Sequence, residues 1–129
     1  MHFLDKSIEI KSLQYMKIDT YSFGKMIIDG KEYTSDLIIY GGKVYENWWR
    51  KTSHKLFLDD IITFLPNVIE IVLMGTGKFG LMKVQKDLID YCEKHAIELI
   101  VQKSEEAVET FNESVKDGKR ILAAFHLTC

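Results

Sequence analysis

Three glycines, Gly75, Gly77 and Gly80, stand at G-x-G-x-x-G spacing within the stretch LMGTGKFGLM. In dinucleotide-binding loops this spacing lets the backbone approach a pyrophosphate at the start of a helix. The apolar run from Ile69 to Met74 before them reads as a strand covered on both faces. The rest of the context is incomplete. No capping residue lies between Phe79 and Val84, so LMKV reads equally as a connector before a helix at Gln85, with the helix dipole too far from the loop. The acidic residue needed about 20 positions on, at the end of the next strand, is absent. That strand ends Val101-Gln102-Lys103, and Glu105 suits a helix start. A Walker loop fails for want of Gly-Lys-Ser/Thr. No dinucleotide and no other cofactor is expected. Gly75 and Gly77 then mark a strand end that needs positive φ or a close backbone approach, and Gly80 counts as coincidence. Open α/β sheets bind ligands beyond the carboxyl ends of their strands, so Gly75-Thr76-Gly77 stands as a candidate ligand loop.

A second group lies in NWWRKTSHK. Trp48 and Trp49 point to opposite faces if the chain is extended, one into the core and one outward or into a cleft. Arg50 offers bidentate anion binding and His54 titrates near neutrality. With the glycine loop they make a candidate small-ligand or anion site comprising Gly75, Thr76, Gly77, Trp49, Arg50 and His54. The plainer reading is a packed tryptophan pair, a surface arginine and a histidine at a helix entry. His126 and Cys129 have H-x-x-C spacing, but a metal site needs more ligands, and none is expected. They could form a nucleophile pair only if one strand did not hold them on opposite faces. Cys92 reads as a small core residue, and no catalytic dyad or triad stands out. Asn112-Glu113-Ser114 matches a glycosylation sequon but lies in the middle of a helical pattern.

Composition narrows the class. A chain of 129 residues with 47% hydrophobic content, one proline and eight glycines suits one domain, residues 1–129, with a real core. A formal charge of −2 carries no broad electrostatic footprint for nucleic acid or an anionic membrane, so nucleic acid is not an expected partner. The local basic excess runs from Lys43 to Lys55, where Lys43, Arg50, Lys51 and Lys55 outnumber Glu46. No apolar run approaches the roughly 18 residues of a membrane span. The opening MHFLDKSIEI lacks the pattern of a signal or transit peptide. With two cysteines and no disulfide framework, a reduced cytoplasmic protein is expected.

These residues must be positioned by two halves of different grammar. From Ile8 to Trp49 the chain reads as strands and tight turns, with hairpin signals at Asp29-Gly30 and Gly41-Gly42. Phe23, Met26 and Ile28 alternate imperfectly with Lys25 and Asp29. Leu58, Ile61, Ile62 and Leu65 then have helical spacing, closed by Pro66. After the strand IEIVLM, the residues Val84, Leu88, Tyr91 and Cys92 form a second helical stripe. IELIVQ is a strand. Ser104 predicts an N-cap, Ala107, Val108, Phe111 and Val115 face inward, and Gly118 predicts the helix end. RILAAFHLT is the last strand. The order is a β-meander, a helix, then β-α-β-α-β, which predicts an α/β fold with a largely parallel sheet and helices on its faces. The N-terminal meander must pack on an edge or a face of that sheet.

Several stretches, YSFGKMIIDGKEYTSDLIIY, WWRKTSHKLFLDDI, VLMGTG and SEEAVETFNESVKDGKRILAAFHLTC, together resemble a known family. It is the small domain shared by the adipogenesis-associated domain protein and the mitochondrial complex I assembly factor of animals, with archaeal and bacterial members. The resemblance runs from about Ile8 to Cys129. Its most specific parts are Trp48-Trp49-Arg50 with His54, the turn Gly75-Thr76-Gly77, and the ending that carries Ala107, Phe111, Asn112, Gly118, Arg120, His126, Thr128 and Cys129. It implies a three-layer α/β fold with a mixed central sheet and an additional β layer. It also implies accessory or assembly proteins working through protein contacts, with no catalytic residue assigned.

The leading expectation is an accessory domain that binds a protein partner without catalysis of its own, self-association being left open. The alternative is the small-ligand or anion site named above. A weaker third is an enzyme using Cys129 and His126.

Overall fold

The computed structural model describes residues 16–65 and 68–129. The expected strand content from Ile8 to Tyr15, and Pro66, lie outside the described residues. Strands β1 (Ile18–Ser22), β2 (Lys25–Ile28) and β3 (Lys31–Tyr33) form an antiparallel meander. The turn between β2 and β3 has positive φ at both Asp29 and Gly30, the geometry that matches strand twist. Next come β4 (Leu37–Tyr40), β5 (Lys43–Tyr45) and the two-residue β6 (Lys55–Leu56). They are followed by β7 (Ile71–Thr76), the short β8 (Lys83–Val84), α1 (Lys86–Lys94), β9 (Glu98–Gln102), α2 (Ser104–Lys116) and β10 (Ile121–His126).

The central sheet has the order β5-β4-β10-β7-β9. β7 runs parallel to both β10 and β9, while β4 is antiparallel to β10 and to β5, so the sheet is mixed. Successive residues feed opposite faces. Ile71, Leu73, Ile121, Ala123 and Phe125 join Ala107 and Phe111 of α2 and Ile18, Met26 and Ile28 of the meander. Val72, Met74, Leu122 and Ala124 join Leu88 and Cys92 of α1, with Trp48, Leu56 and Ile61. The result is three layers, with α2 and the meander on one face and α1 with the Trp48 segment on the other. Cys92 is a core residue as its stripe predicts, and burial pushes its thiol pKa up.

Three local expectations need correction. The stretch Leu58 to Leu65 is not an α-helix but two 3-10 turns, Leu58–Asp60 and Ile62–Phe64. Asp60 explains this. Its carbonyl accepts from the Trp48 indole at 2.9 Å, so Phe64 N–H turns to Ile61 O instead. Its carboxylate caps Phe57 N at 2.8 Å and Lys51 N at 3.1 Å, which tightens the turn. Val84 lies in β8, paired with Leu56, rather than on the α1 stripe, and α1 begins only at Lys86. Ser104 is the first residue of α2 and not its cap, because its hydroxyl is engaged elsewhere, as described below. At the far end Gly118 N donates to Val115 O and Lys119 N to Ser114 O, the paired bonds of a Schellman ending.

Asn112 supplies the tie between α2 and the meander. Its side chain accepts from Ile18 N and donates to Ile18 O, both at 2.9 Å. The sequon asparagine is therefore a strand partner. Asn112→Ala should leave both Ile18 groups unpaired in a half-buried site and destabilise the protein by about 1–3 kcal/mol. Hydrogen exchange at the β1 amides should accelerate more than at β7; equal acceleration across both sheets would contradict a local tie.

Candidate functional site

The strand connections create a specific place at the carboxyl ends of β7 and β9, beside that of β10. From β7 the chain passes through α1 on one face to β9 on one side. From β9 it passes through α2 on the opposite face to β10 on the other side. Where two connections leave on opposite faces, a crevice opens beyond the strand ends, and open α/β sheets bind ligands there. The parallel register sets His126 beside Thr76, and the β7–β9 register sets Gln102 beside Gly75.

The glycines at this end have different reasons. A Cβ on Gly75 would lie 2.6 Å from the Phe125 ring, so its absence admits that ring. Gly77 has φ +102°, and a Cβ there would meet the Cys129 backbone at 2.3 Å and His126 Cδ2 at 2.9 Å. Gly80 has a backbone reason of its own, a φ of +70°, although a Cβ would meet the Lys103 side chain at 3.4 Å and Thr76 Oγ1 at 3.6 Å, both ordinary contacts. Thr76 is buried and its hydroxyl donates to Gln102 O at 3.0 Å. Ser104 Oγ donates to His126 O at 2.6 Å and accepts from Gly77 N at 2.9 Å, bolting three elements together. The segment after β10 is bonded across this end of the sheet. Leu127 O accepts from Gly24 N and from the Tyr21 hydroxyl, Thr128 O from Lys78 N, and Cys129 O from Leu81 N.

On the α1 face of the sheet lies a buried ionic group. Asp36 Oδ2 is 2.7 Å from Arg50 Nη1 and 2.7 Å from His126 Nδ1, and Asp36 Oδ1 accepts from Leu127 N at 2.7 Å. Arg50 Nη2 lies 3.2 Å from the same His126 Nδ1 and donates to Ser53 O at 3.1 Å. A carboxylate can only accept, so Nδ1 carries the proton toward Asp36, and the Arg50–His126 contact is a neighbouring pair of donors. The arginine and histidine side chains are 5% and 6% exposed. Burial pushes the Asp36 carboxyl pKa up. The hydrogen bond from His126, the Leu127 N–H, the Arg50 guanidinium and the charge on His126 outweigh it and hold the group below its ordinary value. Arg50 also lies over the Trp48 ring at 4.7 Å. Among the described residues, Arg50 Nε and His126 Nε2 are buried without a hydrogen-bond partner.

Of the residues singled out by sequence, Gly77, Arg50 and His54 converge on His126, whose ring centroid is 6.1 Å from that of His54. Gly75 and Thr76 line the same strand end from within the fold. Trp49 points elsewhere. Trp48 is buried and Trp49 is 76% exposed, the division the extended chain predicts. Trp49 borders a cleft of about 580 Å³ whose aromatic walls are Tyr45, Trp48, Phe57 and Phe64. Asp36 was not a sequence candidate. Its only signal is a register: Leu37 pairs with Phe125, so the residue before the one stands beside the residue after the other. That becomes readable only when β4 and β10 are known to be neighbours. Among the described residues no three His, Cys, Asp or Glu side chains gather as a metal cage, and no helix is long and apolar enough to cross a membrane.

The same fold is found in solved structures. A conserved hypothetical protein of Pyrococcus horikoshii is 32% identical over 88% of this chain and 99% of its own, with a TM-score of 0.77. A Xanthomonas campestris protein shares the fold at 15% identity, covering 87% of this chain and 84% of its own, with a TM-score of 0.72. A Bordetella pertussis protein described as a Mth938-like domain does so at 14% identity over 88% of this chain and 87% of its own, with a TM-score of 0.68. Residues 18–126, from the start of the meander to the histidine of the ionic group, match the family described as "Protein of unknown function (DUF498/DUF598)", and the chain belongs to that family.

Proposed function

We propose that this protein is a cytoplasmic accessory or assembly-type domain that acts through protein–protein contacts, with the cleft beside Trp49 as its contact surface. The observation that carries the reading is Trp49 itself, a tryptophan 76% exposed on the rim of an aromatic cleft. Tryptophan anchors are enriched at the energetic centres of protein interfaces. The Gly77 loop at the strand ends already donates Lys78 N and Leu81 N to the carbonyls of Thr128 and Cys129, which favours a binding role on the side of the sheet. The resemblance to accessory and assembly proteins supports the same reading.

A photo-crosslinking amino acid at position 49, introduced in the living cell, tests it. One discrete adduct to another protein is expected, with none from the same group at position 101 on β9. Adducts only to a second copy of the chain would replace the partner by self-association. Labelling indistinguishable between the two positions would refute a contact surface at Trp49.

A small-ligand or anion site at Gly75-Thr76-Gly77 with Arg50 and His54 has one observation in its favour, the unpartnered His126 Nε2 beside Gly77. Against it, the guanidinium ends of Arg50 already face Asp36 and Ser53 O, which leaves no open fork for an anion.

A further inference from the structure

The cleft beside Trp49 joins aromatic walls to an acidic rim. Tyr45 and Phe64 in its lining pack edge to face at 5.3 Å, and Trp49 lines it too while largely exposed. Four carboxylates, Glu46, Asp59, Asp60 and Asp87, line the opening against one ammonium, that of Lys51. Asp60 and Asp87 are partly committed, because their oxygens accept backbone N–H groups of Phe57, Leu58 and Leu88. Glu46 and Asp59 are exposed and form no ion pair among the described residues. The lining therefore carries an excess of negative charge beside aromatic walls. That combination attracts a cation on an apolar stem. The adjoining ring already holds one, since Arg50 sits 4.7 Å from the Trp48 centroid.

We propose that this cleft binds lysine and arginine side chains of a basic segment in a partner protein. The inference rests on the contact reading above and adds the partner's chemistry to it. Size and shape favour a segment over a free ammonium ion. A volume of about 580 Å³ exceeds what one small cation fills, and the carboxylates come from three separate stretches of chain, suiting more than one positive group. A small quaternary cation depends on enclosure by aromatic rings. Trp49, 76% exposed, encloses nothing until a bound chain covers it. An acidic or phosphorylated segment would meet like charge at Glu46 and Asp59.

The test titrates three probes into the isotope-labelled full chain, following the two tryptophan indole signals by NMR. The probes are a blocked glycine-spaced peptide with two lysines and one arginine, the same peptide with norleucine and glutamine in their place, and tetramethylammonium. The basic peptide should shift the Trp49 indole saturably. Its affinity should fall about tenfold in Trp49→Ala, about tenfold in Glu46→Gln combined with Asp59→Asn, and several-fold on raising the salt. The proposal is overturned if the neutral peptide binds equally, if the carboxylate variant binds as the wild type does, or if millimolar basic peptide leaves the Trp49 indole unmoved. Tetramethylammonium binding as tightly as the peptide would make the occupant a small cation and overturn it too. A partner crosslinked at position 49 through an acidic or uncharged segment would sink this inference while leaving the contact reading intact.

Discussion

Asp36→Asn is expected to lower the stability of the protein by about 3–5 kcal/mol, the cost of removing one partner from a buried ion pair. Asparagine keeps the shape and can still accept from Leu127 N, but it cannot neutralise Arg50, whose side chain is 5% exposed. The loss should also depend on pH in a definite sense. The folded-state pKa of Asp36 is depressed, so its contribution is complete above the unfolded carboxylate value of about 3.9 and is lost as pH falls through the lower folded value. Denaturant unfolding of both proteins from pH 7 to pH 2.5 checks this. The gap should be widest at neutral pH and should narrow toward the acid end. A gap that is constant over this range would show that Asp36 acts through shape and not charge.

Gly77→Ala should be comparably severe. The new methyl group meets the Cys129 backbone at 2.3 Å, and φ of +102° disfavours any L side chain. Backbone strain and overpacking together predict a loss of about 3–5 kcal/mol. Gly80→Ala is the control. Its φ is +70°, but the nearest atom lies on the flexible Lys103 side chain at 3.4 Å. Backbone strain alone predicts about 1–2 kcal/mol there. Equal midpoint shifts for the two variants in denaturant would show that close approach at Gly77 is not what selects glycine.

The contrast between the two glycines shows how much could be read beforehand. Strand and turn signals in the sequence are local, and the structure follows them at Asp29-Gly30, at the β7 run and at the end of α2. Trp48 and Trp49 divide as the two-residue period of extended chain demands. What failed was hidden in partners far along the chain. Asp60 abandons a helical bond because the Trp48 indole claims its carbonyl, and Ser104 abandons capping because Gly77 and His126 claim its hydroxyl. The site was half legible for the same reason. Arg50, His54 and Gly77 were visible as residue types, whereas Asp36 acquires meaning only from the antiparallel register of β4 on β10, which no window of sequence contains.

The strap from Leu127 to Cys129 gives the architecture a resident guest. Its three carbonyls accept hydrogen bonds from the meander turn, from the first residue after Gly77 and from the residue after Gly80, donors that a visiting molecule would otherwise find. The most inherited address for a ligand in a sheet of this kind is thus tenanted by the protein itself. A new specificity could arise there by eviction of that strap, with the glycine loop, His126 and Ser104 already in place to receive what replaced it.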